Sequence, residues 1–208
     1  MNMLSGIYQP DAGEIYLAGT KVNIRSPQEA ISLGIGMVHQ HFKLVDVFTA
    51  RQNIMLGAGA HLRIQPEQLC EQFGFHLDLN KKIYDMSVSE KQTVEIIKVI
   101  SRGADLLILD EPTAVLTPQE ITTLFEILRR MRSEGHAVII ITHKLDEVLA
   151  VSDRVTVLHK GKSVATVNTA ETDEYALTSL MVGHAVDLNI QRAEASVGSA
   201  LLDVHALN

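Results

Sequence analysis

The sequence predicts an α/β fold built on a parallel sheet, and three observations carry that expectation. Leu106-Leu107-Ile108-Leu109 is aliphatic without alternation, which is how a strand reads when both of its faces are covered. Ala137-Val138-Ile139-Ile140-Ile141 is a second run of the same kind. Between them, Thr117-Pro118-Gln119-Glu120 is a capping box with proline at the first helical position. Behind it Ile121, Leu124, Phe125, Leu128 and Met131 share one helical stripe, and Gly135 ends the segment. Strand, helix and strand in that order imply a right-handed parallel crossover over residues 106–141.

The flanking elements follow from local signals. Met1, Met3, Leu4 and Ile7 have helical spacing but no N-cap, so Met1–Ile7 is expected to be the second half of a helix. Pro10-Asp11-Ala12-Gly13 is a turn. Glu14–Leu17 and Lys21–Ile24 read as strands joined at Gly19-Thr20. Ser26-Pro27-Gln28-Glu29 is another capping box and opens a short helix to about Leu33. Gly36–Gln40 is a strand that runs into a loop. Helical patterns cover Phe48–Leu56, Pro66–Phe75 and Asp85–Ser101, the last with Val94, Ile96, Ile97 and Ile100 on one broad face. Leu145–Val151 is a short helix, Arg154–Leu158 and Ser163–Val167 are strands around a Lys160-Gly161 turn, and Thr172–Val182 is the last helix. Residues 189–199 are polar and unpatterned, and Leu201-Leu202-Asp203-Val204 resembles the start of another strand.

Bulk properties narrow the function classes. With 208 residues and 46% hydrophobic content the chain can bury a real core, as one domain or a domain with an appendage. A net charge of −7 argues against a nucleic-acid surface, which needs a basic stripe. The single cysteine, Cys70, excludes an internal disulfide and fits a reducing compartment; in a helix-like stretch it is expected to be a packing residue. The longest aliphatic runs are four or five residues, far below the ~20 that span a bilayer. No signal-peptide pattern opens the sequence. The expectation is a chain of cytoplasmic type whose membrane role, if any, comes through a partner.

The aliphatic strand ends in Asp110-Glu111-Pro112-Thr113. Proline stops the ladder, and adjacent acids arrive at the carboxyl edge of a parallel sheet, where such folds bind ligands. Side chains alternate along a strand, so the two acids can do different jobs. Asp110 suits a Mg2+ shell, because that ion takes hard oxygen ligands and keeps waters. Glu111 suits orienting or deprotonating a water. The competing reading of the tetrad taken alone is a strand followed by a solvated acidic turn. His143 follows the second buried strand and can donate from one ring nitrogen while a neighbour fixes the other. Gln40, in Val38-His39-Gln40-His41, offers a neutral amide that accepts from water and moves without moving charge. His39 and His41 flank it, with no third metal ligand nearby in the sequence.

Together these segments resemble the nucleotide-binding cassette of ABC transporters, most closely the first cassette of tandem subunits that energise simple-sugar and nucleoside importers. The resemblance runs from Met1 to about Gly183. It implies a P-loop NTPase-like α/β fold with a helical subdomain over about 48–102 and an antiparallel β piece. It also implies ATP and Mg2+ as cofactors. By resemblance, Asp110 is the Walker B aspartate that holds Mg2+ through water, and Glu111 is the general base. Gln40 is the glutamine that touches Mg2+ and the attacking water, and the loop after it meets the membrane partner. His143 is the switch histidine that contacts the γ-phosphate. Met86-Ser87-Val88-Ser89-Glu90 stands where the family writes L-S-G-G-Q, so Ser87 and Ser89 are implied to face a nucleotide bound to a second cassette. That motif starts a helix, whose N-terminus attracts anions. The implied partners are transmembrane permease subunits, a second ABC cassette in the C-terminal half of the same full-length protein and, indirectly, a periplasmic or lipoprotein solute-binding protein. The implied location is peripheral, on the cytoplasmic side of the membrane, with no nucleic acid bound.

Departures from the family pattern set further expectations. Val88 and Ser89 replace two glycines and Glu90 replaces glutamine, so a carboxylate stands where a phosphate is expected, with Lys91 as its nearest offset in sequence. Ala114-Val115-Leu116-Thr117 replaces S-A-L-D. No G-x-x-x-x-G-K-[ST] occurs in the sequence, although in the family that loop supplies most of the grip on the triphosphate. Residues 1–183 are therefore expected to be a partial nucleotide-binding domain, 184–200 a linker and 201–208 the start of a second cassette, all parts of a longer tandem protein. A chain so composed is expected to be inactive alone. The alternative is a non-catalytic piece that docks on a partner cassette or permease. DNA-repair ATPases with related heads carry a long coiled coil between the Gln40 and Ser87 positions, and only 47 positions separate them here.

Overall fold

The computed structural model describes residues 1–57, 62–183 and 205. The chain divides into two units, Met1–Val151 and Ser152–Asn208.

The first unit opens with a hairpin of β1 (Ile15–Leu17) and β2 (Thr20–Val22). Its turn is Ala18-Gly19, with φ of 47° and 78°, the double left-handed conformation that matches the twist of a tight hairpin. Thr20 therefore pairs with Leu17 as part of β2 instead of belonging to the turn. α1 (Pro27–Ser32) follows. Ser26 Oγ accepts from the Glu29 N–H at 3.2 Å. Glu29 Oε2 accepts from the Arg25 N–H at 2.6 Å, so the reciprocal arm of the box reaches one residue further back than expected. Next come β3 (Ile35–Val38), α2 (Ala50–Met55), α3 (Pro66–Phe73) and α4 (Val88–Ser101). β4 (Leu106–Asp110), α5 (Pro118–Ser133), β5 (Ala137–Ile141) and α6 (Leu145–Val151) complete the unit.

β3, β4 and β5 form a parallel sheet with β4 in the middle. The alternation of side chains along each strand divides them between two cores. Val38, Leu107 and Leu109 pack with Ile54, Leu69, Val94, Ile97, Leu128 and their neighbours from the helices. Ile35 and Ile108 pack with Ile24 and Ala30, and Ile15, Leu17 and Val22 of the hairpin close over them. Both faces of β4 are thus covered, which is the physical content of its unbroken aliphatic run.

Two expectations fail. β5 is not doubly buried: Ala137 is exposed and Val138–Ile141 are half-buried. Among the described residues β5 is the outer strand of its sheet, so one flank has no neighbour to cover it. Met1–Ile7 is not helical. It forms a single set of turns, with the Leu4 and Ser5 N–H groups donating to Met1 O and the Ile7 N–H to Asn2 O. These bonds span three, four and five residues, so no repeating helical ladder forms.

The second unit holds an antiparallel hairpin of β6 (Arg154–His159) and β7 (Lys162–Asn168), then α7 (Glu174–Val182). Its Lys160-Gly161 turn has φ of 48° and 76°, as the sequence places it. Asp173 caps α7 by accepting from the Ala176 N–H at 2.7 Å. The expected linker over 184–200 and the strand-like start at 201–208 lie outside the described residues, His205 apart.

Candidate functional site at the carboxyl edge of the parallel sheet

β4 delivers Asp110 and Glu111 to the carboxyl edge of the sheet. Asp110 is half-buried and level with Ile141 of β5. Glu111 leaves the strand direction with a φ of 48°, a left-handed conformation that costs a non-glycine residue about 1–3 kcal/mol. Its N–H still donates to Ile141 O at 2.9 Å, so the turn is anchored to β5. His143, two residues beyond β5, brings Nδ1 to 2.9 Å from Glu111 Oε1. The Glu111 side chain is 19% exposed and that of His143 is 74% exposed, so the pair has a buried end and an open end. The second carboxylate oxygen, Glu111 Oε2, is buried and has no hydrogen-bond partner. A buried acceptor without a donor is costly, and such an atom marks a place where a water or ligand donor belongs.

Gln40 is exposed. Val38 is level with Leu109, so Gln40 leaves the sheet at the same edge as the acids. The chain beyond it is fastened to the helices. Glu95 of α4 accepts from the Lys43 N–H at 2.7 Å, and Lys98 donates to Lys43 O at 3.2 Å. Asn53 of α2 accepts from the Val45 N–H at 2.7 Å and donates to Val45 O at 3.0 Å.

Ser87 is the N-cap of α4 and Ser89 lies in its first turn. Ser87 Oγ accepts from the Glu90 N–H at 3.2 Å, and Glu90 Oε2 accepts from the Ser87 N–H at 2.7 Å. The main-chain oxygen of Ser89 accepts from the Thr93 hydroxyl at 3.0 Å. Lys81, not Lys91, offsets the Glu90 carboxylate, at 2.8 and 2.9 Å. Sequence distance misleads here, because Lys91 is next along the helix while Lys81 arrives from the preceding loop. Burial opposes ionisation of Glu90, but the Lys81 ammonium and the Ser87 N–H outweigh it and hold the carboxyl below its ordinary value. Burial, with Glu67 and Glu71 nearby, pushes the Cys70 thiol up, away from nucleophile chemistry.

No group of three or more His, Cys, Asp or Glu side chains among the described residues forms a metal cage. Asp110 and Gln40 carry oxygen donors of the kind that Mg2+ takes, an ion that uses one or two carboxylates and fills its shell with waters and phosphate oxygens. No helix among the described residues is long and apolar enough to cross a membrane.

The family model described as "ABC transporter" matches residues 1–114. The chain belongs to the ABC transporter family. It is 46% identical over 217 residues to the nucleoside import ATP-binding protein NupA of Lactococcus lactis, covering 100% of this chain and 43% of that protein. It is 43% identical over 220 residues to the guanosine import ATP-binding protein NupO of Bacillus subtilis, covering 100% of this chain and 42% of the relative. The ribose import ATP-binding protein RbsA of Corynebacterium glutamicum is 37% identical, again over 100% of this chain and 41% of its own length. The chain thus spans less than half the length of these relatives. A solved ATP-binding cassette of an ABC transporter in its ADP conformation matches with a TM-score of 0.74 at 20% identity, over 85% of this chain and 77% of the other. The cbiO1 structure from Clostridium perfringens, part of the ABC transporter complex cbiONQ, gives 0.69 at 26% identity, over 82% and 71%. The fold is accordingly the P-loop NTPase-like α/β fold of an ABC cassette.

Sequence reasoning overlooked four residues of this cassette's edge. Gln92 Nε2 donates to Pro112 O at 2.9 Å. Thr113 donates its hydroxyl proton to Glu147 Oε2 at 2.5 Å. Lys144 Nζ donates to Thr113 O, Thr113 Oγ1 and Glu147 Oε1 at 3.2, 3.2 and 3.0 Å. A signal existed for part of this: Lys144 and Glu147 are three apart at a helix start, which places them on one face.

Proposed function

We propose that this cassette is the hydrolytic portion of an ATP-binding subunit that powers import of a simple sugar or nucleoside across the cytoplasmic membrane. The observation that carries the reading is the Glu111–His143 pair at 2.9 Å, with Glu111 Oε2 buried and unpartnered beside it. The names of the relatives, nucleoside, guanosine and ribose import ATP-binding proteins, support the solute class.

In this reading Glu111 Oε2 accepts a proton from the attacking water, while Oε1 fixes the ring of His143. Donation through both ring nitrogens, to Glu111 and to a γ-phosphate oxygen, requires the imidazolium form. That charge is suited to a place between a carboxylate and a phosphate. Asp110 and Gln40 would hold Mg2+, which neutralises charge on the transferring phosphoryl group. Ser87 and Ser89, at the start of α4, would face a nucleotide held by a second cassette. Residues 1–183 form the nucleotide-binding portion, with the helices over 48–102 as its helical subdomain. The partners are permease subunits and a second cassette, with a solute-binding protein acting indirectly. The subunit works peripherally on the cytoplasmic side.

The sequence holds no glycine-rich phosphate loop, so the 208-residue chain is expected to bind Mg-ATP weakly and not to turn it over. Titration of the isotope-labelled chain with Mg-ATP, followed by NMR, tests both points. Saturable shifts at Gln40, Asp110, Glu111 and His143 are expected, without phosphate release. Shifts confined to other regions would remove the site assignment. Turnover abolished by Glu111→Gln would show that the chain is catalytically complete.

One observation favours a second reading, a non-catalytic cassette piece that docks on a partner. The Glu90 carboxylate already occupies the N-terminus of α4 and is held there by Lys81. Co-purification with a permease in the absence of ATP, unchanged by Glu111→Gln, supports that reading over the first.

A further inference from the structure

We infer that Glu147, acting through Thr113 and Lys144, is the positioning residue that holds Glu111 against His143; this rests on the site proposed above. Glu147 is 6% exposed and Thr113 1% exposed, and neither belongs to the proposed chemistry. A buried carboxylate needs partners for both of its oxygens. Glu147 Oε2 takes the Thr113 hydroxyl proton at 2.5 Å. Glu147 Oε1 takes one Lys144 proton at 3.0 Å. The other two Lys144 protons go to Thr113 O and Thr113 Oγ1, both at 3.2 Å. Every donor of the ammonium and the hydroxyl is used, and each Glu147 oxygen has a partner.

The network joins the two loops that carry Glu111 and His143. Thr113 is two residues beyond Glu111, and Lys144 immediately follows His143. Two loops that leave neighbouring strands are therefore tied together one step behind the reacting pair. Pro112 is held from the other side, by Gln92 of α4 at 2.9 Å. Glu111 has a left-handed backbone, φ 48°, and such a conformation persists only where its surroundings over-determine it. The ladder bond from Glu111 N–H to Ile141 O fixes the residue before the turn closes. The Gln92 and Thr113 contacts fix the residues after it. Glu147 is the only carboxylate in this set apart from Glu111 itself. Its negative charge is what keeps the Lys144 ammonium directed inward at Thr113 and not out to water.

The test uses the 15N resonance of His143 Nδ1 in the labelled 208-residue chain, which reports whether that nitrogen is bonded to a carboxylate. Glu111→Gln calibrates the change on losing the carboxylate. Glu147→Gln and Thr113→Val are each expected to produce most of that displacement, and Thr113→Ser, which keeps the hydroxyl, to restore the wild-type position. Thermal unfolding is recorded alongside. A lowered midpoint in Glu147→Gln and Thr113→Val with an unmoved His143 resonance would overturn the inference and leave the network merely structural. If Glu147→Gln does not fold, Thr113→Val against Thr113→Ser decides alone. If Glu111→Gln itself leaves the resonance unmoved, the Glu111–His143 pair is wrong, and the site reading falls with this one.

Discussion

Glu95 accepts the backbone N–H of Lys43 at 2.7 Å across 52 residues of sequence. Glu95 is 6% exposed, and Lys98, one turn further along α4, takes the Lys43 carbonyl. The stretch after Gln40 is thus held by the helices while Gln40 itself leaves the sheet. A hydrogen bond to a buried charge contributes about 1.5–3 kcal/mol. Glu95→Ala is expected to destabilise the chain by about that amount and to raise amide hydrogen exchange at Lys43–Val45 well before the amides of β4. Equal acceleration in both places would mean that Glu95 supports the fold generally and not that loop.

Much of this architecture is legible in the sequence because it is local. The capping box at Thr117 forms as written, with both reciprocal bonds. The aliphatic run 106–109 becomes the central strand, and strand adjacency brings Glu111 to His143. What escapes the sequence is long-range or conformational. Thr113 and Glu147 are 34 residues apart and Lys43 and Glu95 are 52 apart. A polar residue in a helical pattern does not announce which distant backbone group it will meet. The left-handed Glu111 is likewise invisible, because no local rule places a glutamate there. β5 misleads for another reason: its pattern states how apolar the strand is, not whether a neighbour covers its outer flank.

Gly36 lies in the middle of β3, against α4. A Cβ there would collide with Val99 Cγ1 and stand 3.0 Å from Ala104 Cβ. Gly36→Ala is expected to destabilise by about 1–3 kcal/mol, the range for overpacking a dense interior. Val99→Ala should be mildly destabilising alone and should recover much of the loss when combined with Gly36→Ala. A urea-unfolding double-mutant cycle reads that coupling, and additive effects would mean that the collision is relieved elsewhere.

Glu90 gives a pH dependence of known sign. Its carboxyl lies below the ordinary value in the folded chain because Lys81 and the Ser87 N–H outweigh burial. A depressed acid stabilises the fold at pH values above its unfolded-state value, and that stability disappears as pH falls through the folded-state value. Glu90→Gln keeps a capping acceptor but loses the charge. It should therefore unfold at a lower temperature than wild type at neutral pH, by less than about 1 kcal/mol in stability. The two should converge on acidification through and below the ordinary glutamate range. A difference that persists in acid would mean that the side chain acts by shape and not by charge.

Glu111 should invert the usual order of glycine and alanine. Elsewhere in a fold glycine is the less stable of the two, because the unfolded chain gains freedom. At a φ of 48° alanine keeps the left-handed strain and glycine removes it. Both substitutions delete the unpartnered buried Oε2 and the bond to His143, so those contributions cancel between them. Glu111→Gly is expected to be more stable than Glu111→Ala by roughly 1 kcal/mol, read from paired denaturant unfolding. The wild-type residue then holds a strained backbone and an unsatisfied oxygen together, at the one carboxylate bonded to His143, which is what a site kept for chemistry instead of stability should show. Alanine more stable than glycine would mean that the left-handed turn relaxes once the carboxylate is gone. The strain would then originate in the Glu111–His143 contact and not in the backbone that frames it.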